Sequence, residues 1–230
     1  MKNILVFGAS GSIGSSIMKE YEVFKDTHQV YGVTTKSKKN TKLHTINVES
    51  DLLKLNLHKK SLNGIIWTQG INTNDSILNF NAKKYDEIMN VNVLYILNTL
   101  SWIIKYDLIS ENAKLCIVSS IWQEISRQNK LSYTVSKSAL QGLVLSLAND
   151  LSDRNIMVNA ILPGVIDNDM TKSMLSKKQL DDIKNNNGNK KLAKPTSVAK
   201  TALWLCSDHS EGITGEFIKV DYGYSKTRTI

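Results

Sequence analysis

The fold is decided by the run Ile4-Leu5-Val6-Phe7-Gly8-Ala9-Ser10-Gly11-Ser12-Ile13-Gly14. Four consecutive apolar residues predict a strand that is buried on both faces, because alternate side chains point to opposite sides of a sheet. The glycines that follow allow a tight turn, and a helix beginning at Ser12 would present unpaired N–H groups to an anion. A plain turn is the alternative, but a glycine-rich turn between a first strand and a helix is typical of dinucleotide binding.

Beyond this run, apolar segments alternate with helical patterns along the chain. The predicted strands are Asn3–Phe7, Gln29–Thr34, Leu43–Asn47, Gly64–Thr68, Lys114–Ser119, Met157–Leu162 and Glu216–Val220. The predicted helices are Ser12–Tyr21, Lys83–Tyr106, Tyr133–Ser152 and Ser197–Ser207, with a further helical pattern over Thr171–Asn187. This alternation predicts an α/β fold, a Rossmann-type doubly wound parallel sheet of about seven strands with helices on both faces, as one domain over residues 1–230.

Composition narrows the function classes. The 230 residues are 41% hydrophobic, and no uninterrupted apolar stretch or signal-like segment indicates a membrane partner. The formal charge of +8 comes from basic runs without interleaved aromatic residues, which argues against nucleic-acid binding. Cys116 and Cys206 stand in apolar surroundings and are expected to be reduced and buried. We therefore expect a cytoplasmic protein with a small-molecule substrate and no metal site.

The candidate catalytic residues are Tyr133, Lys137 and Ser120. Tyr133 and Lys137 are four residues apart and share one helix face. A neighbouring ammonium is expected to lower the phenol pKa, so that Tyr133 can act as the acid in carbonyl reduction or as the base in the reverse direction. Ser120 follows a buried strand, at the sheet edge where ligands of such folds bind. Considered alone, a Tyr and a Lys at this spacing are more often surface neighbours, but the serine at the strand end and the glycine-rich turn together favour a catalytic role.

The residues after the second predicted strand indicate which dinucleotide is bound. An acidic residue there would favour NAD(H), but the chain has Thr34-Thr35-Lys36-Ser37. Hydroxyl groups and an ammonium suit a 2′-phosphate, so NADP(H) is favoured over NAD(H). If Lys36 is only a solvated loop lysine, the preference stays open.

Together these motifs resemble the short-chain dehydrogenase/reductase family, in its classical branch and near its 3-oxoacyl-carrier-protein reductase-like members. The resemblance extends from residue 3 to about 224 and includes Asn90-Val91-Asn92-Val93, Asn159–Gly164 and Thr214–Gly223. It implies that Asn92 completes a catalytic tetrad with Ser120, Tyr133 and Lys137, its backbone holding a water. It also implies that Lys137 binds the nicotinamide ribose.

The glycine-rich turn and the resemblance together give a set of cofactor-binding residues. These are Gly8, Ser10, Gly11, Ser12, Ile13, Gly14, Thr35, Lys36, Asn47, Val48, Gln69, Gly70, Tyr133, Lys137, Pro163, Gly164, Val165 and Ile166. By the resemblance, Asn47 and Val48 lie near the adenine, while Val165 and Ile166 contact the nicotinamide carboxamide.

Three departures from the family pattern stand out. The glycine spacing is more typical of the extended branch, which handles nucleotide sugars, and the arginine that many NADP-preferring members carry in this loop is absent. Thr68-Gln69-Gly70 replaces the usual Asn-Ala-Gly. Asn168 stands where a threonine commonly helps to hold the carboxamide. The tetrad positions are all present, which favours an active enzyme.

On the substrate side, the predicted pocket residues are Ile121, Trp122, Gln123 and Met170, together with the Arg127–Leu131 approach to Tyr133. A lid is predicted over about residues 168–192. Trp122 could stack on a ring or simply pack. Arg127 and Lys172 could meet an anionic substrate, although solvated side chains are the simpler interpretation. A homodimer or homotetramer is expected, because the two long helices carry apolar residues on more than one side: Leu94, Leu97, Leu140, Leu143 and Leu147.

The expected activity is NAD(P)-dependent hydride transfer between nicotinamide and a carbonyl or alcohol substrate, with a 3-oxoacyl thioester of acyl carrier protein as one candidate. Two alternatives stay open. One is a keto-sugar or nucleotide-sugar reductase in polysaccharide biosynthesis. The other is a dinucleotide-sensing protein without turnover.

Overall fold

The first strand, β1 (Lys2–Phe7), shows how the sheet is buried on both faces. Its apolar side chains alternate, with Leu5 and Phe7 in one hydrophobic core and Ile4 and Val6 in another. Helices cover each face, because a strand with two apolar faces must bury both. The computed structural model describes residues 1–34, 43–45, 55, 57–187 and 189–227, with only the backbone described over 43–45.

Within the described residues, seven strands form one parallel sheet in the order β3-β2-β1-β4-β5-β6-β7. The strands after β1 are β2 (His28–Thr34), β3 (Leu43–Thr45), β4 (Leu62–Trp67), β5 (Ile109–Val118), β6 (Met157–Pro163) and β7 (Phe217–Val220). The predicted fold class is therefore confirmed. The strand order reverses between β1 and β4, and the crevice at such a reversal is where open α/β sheets bind ligands.

The helices are α1 (Ser12–Glu22), α2 (Ala82–Met89), α3 (Tyr95–Lys105), α4 (Leu131–Asp150), α5 (Asp169–Met174), α6 (Lys177–Asn185) and α7 (Pro195–Leu205). Helices α3 and α4 bury residues in the core that contains Leu5, while α1 and α7 bury residues in the core that contains Ile4. Leu140, predicted at an oligomer seam, lies fully buried in the first of these cores, because α4 turns that face toward the sheet.

Two predicted element bounds are wrong for identifiable reasons. Strand β5 begins at Ile109 and not at Lys114, because a register shift in its pairing with β4 accommodates the polar residues after Ile109. The predicted helix Lys83–Tyr106 is interrupted by a π-helical turn, Asn90–Leu94, between α2 and α3. Such turns insert an extra residue into a helix and are frequent at functional sites.

One helical stretch within the described residues, Ala82–Lys105, is long and apolar enough to cross a membrane by length and composition alone. In the structure its residues Ile96, Leu100 and Ile103 pack against the sheet in the hydrophobic core. A core helix of a globular protein passes the same length and composition test, and the packing of this helix is of that kind.

Candidate active site

A cavity of about 620 Å³ lies at the carboxyl ends of the central strands. Residues that follow β1, β4, β5 and β6 line it, among them Gly8, Thr68, Ser119 and Gly164. The volume is within the range of small-molecule and cofactor sites. The cavity therefore lies at the strand-order reversal, where the sequence places its candidate residues.

The glycine-rich turn forms one wall of the cavity. Gly8 has a φ of +75°, and a Cβ at this position would lie 2.7 Å from both Gln69 N and Thr68 Oγ1. Gly14 does not line the cavity. Instead it lets α1 pack directly against the turn, where a Cβ would lie 2.7 Å from Ala9 Cα. The two glycines thus have different tasks: Gly8 turns the chain, and Gly14 brings the helix close to the strand.

The residues of this wall fit the phosphates of a dinucleotide. Helix α1 begins after Gly11 without a side-chain cap and has no acidic residue in its first turn, so its N–H groups are open to an anion. Ser10, Ser12 and Ile13 also line the cavity. The amide of Gln69, on the opposite side of the turn, is buried with no hydrogen-bond partner among the described residues. A bound ligand would supply such a partner.

Part of the predicted cofactor set lies outside the described residues, namely Thr35, Lys36, Asn47 and Val48. At the end of β2, the Thr34 side chain is hydrogen-bonded to Ser10, with 2.6 Å between the hydroxyl oxygens. This bond joins the end of β2 to the glycine-rich turn.

The segment after β6 forms another wall of the cavity through Pro163, Gly164, Val165 and Ile166. A Cβ on Gly164 would lie 2.8 Å from the Asp221 Cβ, so only glycine fits there. Hydrogen bonds to Ala193 hold the segment in place, because Ala193 N donates to Val165 O at 3.0 Å and Asp167 N donates to Ala193 O at 3.0 Å.

Tyr133, Ser120 and Lys137 meet at the cavity wall. The Ser120 side chain lies near enough to the Tyr133 phenol to lower its pKa by hydrogen bonding, and Lys137 Nζ lies 5.7 Å from the centre of the Tyr133 ring. Lys137 is 3% exposed, and its Nζ donates to Val118 O at 3.2 Å. Helix α4 contributes two of the three groups and the end of β5 contributes the third.

The pKa values of this group depart from the expectation based on sequence. Burial raises the pKa of Tyr133 to about 12, although the hydrogen bond from Ser120 opposes the rise. Burial also lowers the pKa of Lys137 to about 8. The expected lowering of the Tyr133 pKa is wrong for the protein alone, because burial of the phenol raises this pKa. Tyr133 is consequently a protonated group at neutral pH.

Asn92 lies in the π-helical turn, is 1% exposed and does not line the cavity. Its side chain accepts from Ile71 N at 2.9 Å, donates to Ile71 O at 3.1 Å and donates to Ser136 Oγ at 3.0 Å. The amide thus joins the segment after β4 to helix α4, at the residue before Lys137.

Of the four residues predicted to line the substrate pocket, two do so in the structure and two do not. Trp122 and Met170 line the cavity, whereas Ile121 and Gln123 do not. Ile121 is 0% exposed and packs in the hydrophobic core, and Gln123 Oε1 accepts from Ser119 Oγ at 2.7 Å. The cause is a 3₁₀ turn, Ile121–Gln123, which directs its first and third side chains inward.

The backbone N–H of Asn168 donates to Ile166 O at 3.0 Å, while the Asn168 side chain joins two other elements. Its Oδ1 accepts from Thr171 N at 2.9 Å and so caps α5, and its Nδ2 donates to Ser12 Oγ at 3.0 Å. The residue therefore links the start of the predicted lid to the glycine-rich turn.

Two further residues have a clear place in the site: Lys130, which the sequence places only within the Arg127–Leu131 approach and without a role, and Asp75, which is absent from the sequence-based set. Lys130 lines the cavity with its Nζ 5.6 Å from the centre of the Tyr133 ring. Asp75 accepts hydrogen bonds from both Ser132 N and Ser132 Oγ, and it fixes the start of α4. The spacing of Lys130, three residues before Tyr133, was an available signal, since residues three apart are neighbours at a helix start.

Comparison with known proteins places the chain in a family. Residues 51–225 match a family model described as enoyl-(acyl carrier protein) reductase. A 3-oxoacyl-(acyl-carrier-protein) reductase of Thermotoga maritima is 29% identical over 154 residues, covering 67% of this chain and 62% of that protein. A protein of the same name from Chlamydia trachomatis is 26% identical over 225 residues, covering 96% of this chain and 86% of that protein.

Solved structures agree on the fold. A short chain dehydrogenase family protein from Francisella tularensis superposes with a TM-score of 0.88 at 24% identity, covering 99% of this chain and 100% of that chain. The chain therefore belongs to the short-chain dehydrogenase/reductase family, whose members are NAD(P)-dependent oxidoreductases. The match to the Thermotoga maritima relative spans less than two thirds of its length.

Proposed function

We propose that this protein is a carbonyl reductase that uses Tyr133 as its general acid. The observation that carries the proposal is that Ser120, Tyr133 and Lys137 lie together on the wall of the cavity that the glycine-rich turn also lines. A phenol with a pKa of about 12 is protonated at neutral pH and can donate its proton to a carbonyl oxygen.

The roles of the residues follow from their positions. Ser120 donates to the same carbonyl oxygen and orients it, while Lys137 holds the ribose hydroxyls and stabilises the phenolate that forms when the proton leaves. Asn92 supports the proton path by fixing the segments around Ile71 and Ser136. When bound, the nicotinamide supplies the hydride.

The proposal includes NADP(H) as the preferred cofactor, because the sequence Thr34-Thr35-Lys36-Ser37 has no carboxylate and contains a lysine that would suit a 2′-phosphate. Gly8, Gly11 and Ser12 would hold the pyrophosphate at the start of α1, and Val165 and Ile166 would contact the carboxamide. A solved relative in fold, "ElxO with NADP Bound", is 20% identical with a TM-score of 0.85.

The proposal also covers the domain organisation and the oligomeric state of the protein. One domain covers residues 1–230, and helices α5 and α6, within about residues 168–192, act as a lid over the substrate. A homodimer or homotetramer would cover the apolar side chains that α3, α4 and the π-helical turn leave exposed, such as Leu94, Leu97 and Leu145. The site is expected to act in the cytoplasm.

The first experiment is a screen of cofactor oxidation with 3-oxoacyl thioesters, keto sugars and small ketones and aldehydes, each with NADPH and NADH. We expect turnover of at least one carbonyl class, faster and at lower cofactor concentration with NADPH. Equal binding of both cofactors would contradict the NADP preference. Tight cofactor binding without turnover of any substrate would instead support a sensing protein.

The rate of reduction should depend on pH through Lys137. Its pKa of about 8 means that it loses its proton before Tyr133, whose pKa is about 12, as the pH rises. We therefore expect kcat/KM for a neutral carbonyl substrate to fall as pH rises through about 8, because kcat/KM reports groups of the free enzyme. A pH profile that stays flat up to about pH 10 would contradict the assigned role of Lys137.

A further inference from the structure

Two cationic side chains on the substrate side of the cavity have no part in the reaction proposed above. Arg127 and Lys130 both line the cavity, and the described residues that line it include no aspartate or glutamate. Both belong to the loop before α4, where Asn129 adopts a left-handed φ of 58°. The Arg127 guanidinium carbon lies 5.9 Å from the centre of the Trp122 ring. The substrate side therefore has a net positive lining.

Lys130 is the more constrained of the two. It is 3% exposed, and its Nζ donates to Asn72 Oδ1 at 2.8 Å and to Thr73 O at 3.4 Å. Both acceptors are neutral, and an ammonium has three N–H donors. No ion pair joins Lys130 to an acidic side chain in the part of the chain that the structure describes. A buried charge without such a partner is costly unless a ligand completes its surroundings.

Asp75 is not the acidic partner of Lys130. Both of its carboxylate oxygens accept hydrogen bonds from Ser132, one from the backbone N–H and one from the hydroxyl. Burial and repulsion by Arg127 lower the pKa of Lys130 to about 8 despite the attraction of Asp75. Lys130 is consequently still charged in most molecules at neutral pH.

The location of Lys130 also separates it from the cofactor phosphates. Those phosphates fit the start of α1, which follows β1, whereas Lys130 is held by the segment after β4 and lies beside Tyr133. The ammonium groups of Lys130 and Lys137 lie 5.6 Å and 5.7 Å from the centre of the Tyr133 ring. An anion bound to Lys130 would be within a few carbon–carbon bonds of a carbonyl held by Tyr133 and Ser120.

We propose that Lys130, assisted by Arg127, binds an anionic group of the substrate, so that the protein reduces small oxo compounds that carry a carboxylate or a phosphate near the carbonyl. The inference rests on the carbonyl reductase proposed above and names its substrate class. Lys130 acts here as a specificity-determining residue and takes no part in proton transfer.

The test compares substrates that differ only in charge. For a carboxylate the pair is 3-oxobutanoate and methyl 3-oxobutanoate, and for a phosphate it is dihydroxyacetone phosphate and dihydroxyacetone. We expect kcat/KM to favour the anion of one pair by at least about tenfold, and Lys130→Gln to reduce kcat/KM for that anion by about 10- to 100-fold, the size typical of a hydrogen bond to a charged group. Lys130→Arg keeps the charge and should keep most of the preference.

Lys105→Gln is the matched control, since Lys105 is an exposed lysine at the end of α3. It should leave the preference unchanged. Thermal unfolding of each variant shows whether the fold is intact. If Lys130→Gln reduced kcat/KM equally for the anion and for its neutral counterpart, the inference would be overturned, because Lys130 would then only support Tyr133. A wild-type protein that reduces neutral and anionic members equally would also overturn it, while carbonyl reduction itself would stand.

Calorimetry separates this inference from the proposed function. The protein saturated with NADP⁺ has no hydride to give, so binding of 3-oxobutanoate and of dihydroxyacetone phosphate can be measured without turnover. If no carbonyl is reduced in any assay, the proposed activity fails. Binding of one anion that Lys130→Gln removes would still support the anion site, and absence of binding of both anions would overturn it.

Discussion

Replacement Tyr133→Phe is expected to reduce carbonyl reduction by about 10²- to 10⁴-fold, the range that a positioned general acid contributes. The phenol lies beside Ser120 and Lys137 on the cavity wall, and the variant removes only its hydroxyl. Because the ring stays in place, cofactor affinity and thermal stability should change little. Steady-state kinetics with the substrate found in the screen, together with fluorescence titration of NADPH, measures both.

Tyr106→Phe is the matched control for this variant. Tyr106 follows the end of α3, where its ring packs against Trp102 with 4.3 Å between the ring centres, and it does not line the cavity. It should keep wild-type activity. A Tyr133→Phe protein that retains more than about a tenth of the wild-type kcat would show that another group supplies the proton.

Replacement Gly14→Ala is expected to destabilise the protein by about 2–4 kcal/mol and to weaken cofactor binding. The added Cβ would overlap the Gly8 carbonyl oxygen and lie 2.7 Å from Ala9 Cα. Both are backbone atoms, so relief requires α1 to move away from the turn that forms the phosphate wall. Denaturant unfolding followed by circular dichroism measures the stability, and titration with NADPH measures the binding.

Gly142→Ala gives the opposite expectation with the same chemical change. Gly142 lies within α4, and a Cβ there would meet no atom within 4 Å. Alanine is the better helix former by about 1 kcal/mol, so this variant should be as stable as the wild type or more so. If the two alanine variants had equal stability, the close packing of α1 at Gly14 would not be an energetic constraint.

The sequence predicts the architecture well because its strands are continuous apolar runs. A run such as Ile4–Phe7 can be buried only between two helical layers, and this constraint is local and visible. The bounds of β5 are missed because its first residues are polar and pair through a register shift. The π-helical turn at Asn90–Leu94 is missed because one extra residue leaves the helical pattern of apolar positions nearly unchanged.

The site shows a similar division. Ser120, Tyr133 and Lys137 are brought together as their spacing predicts, because a helix face and a strand end fix them. The pKa of Tyr133 could not be predicted, since its direction depends on how much water the whole fold excludes. The spacing of Lys130 before Tyr133 places it at the cavity, but its burial could not be predicted, because burial also depends on the whole fold.

The two sides of the cavity differ in what supports them. The glycine-rich turn and the segment after β6 contain glycines with no room for a side chain, and both follow directly from strand ends. On the substrate side, Trp122, Arg127 and Met170 lie on loops and a short helix outside the sheet. Surface loops tolerate substitution at little cost in folding free energy. A lineage carrying this fold can therefore acquire a new carbonyl substrate through a few replacements in these loops, while the hydride-transfer geometry is inherited unchanged.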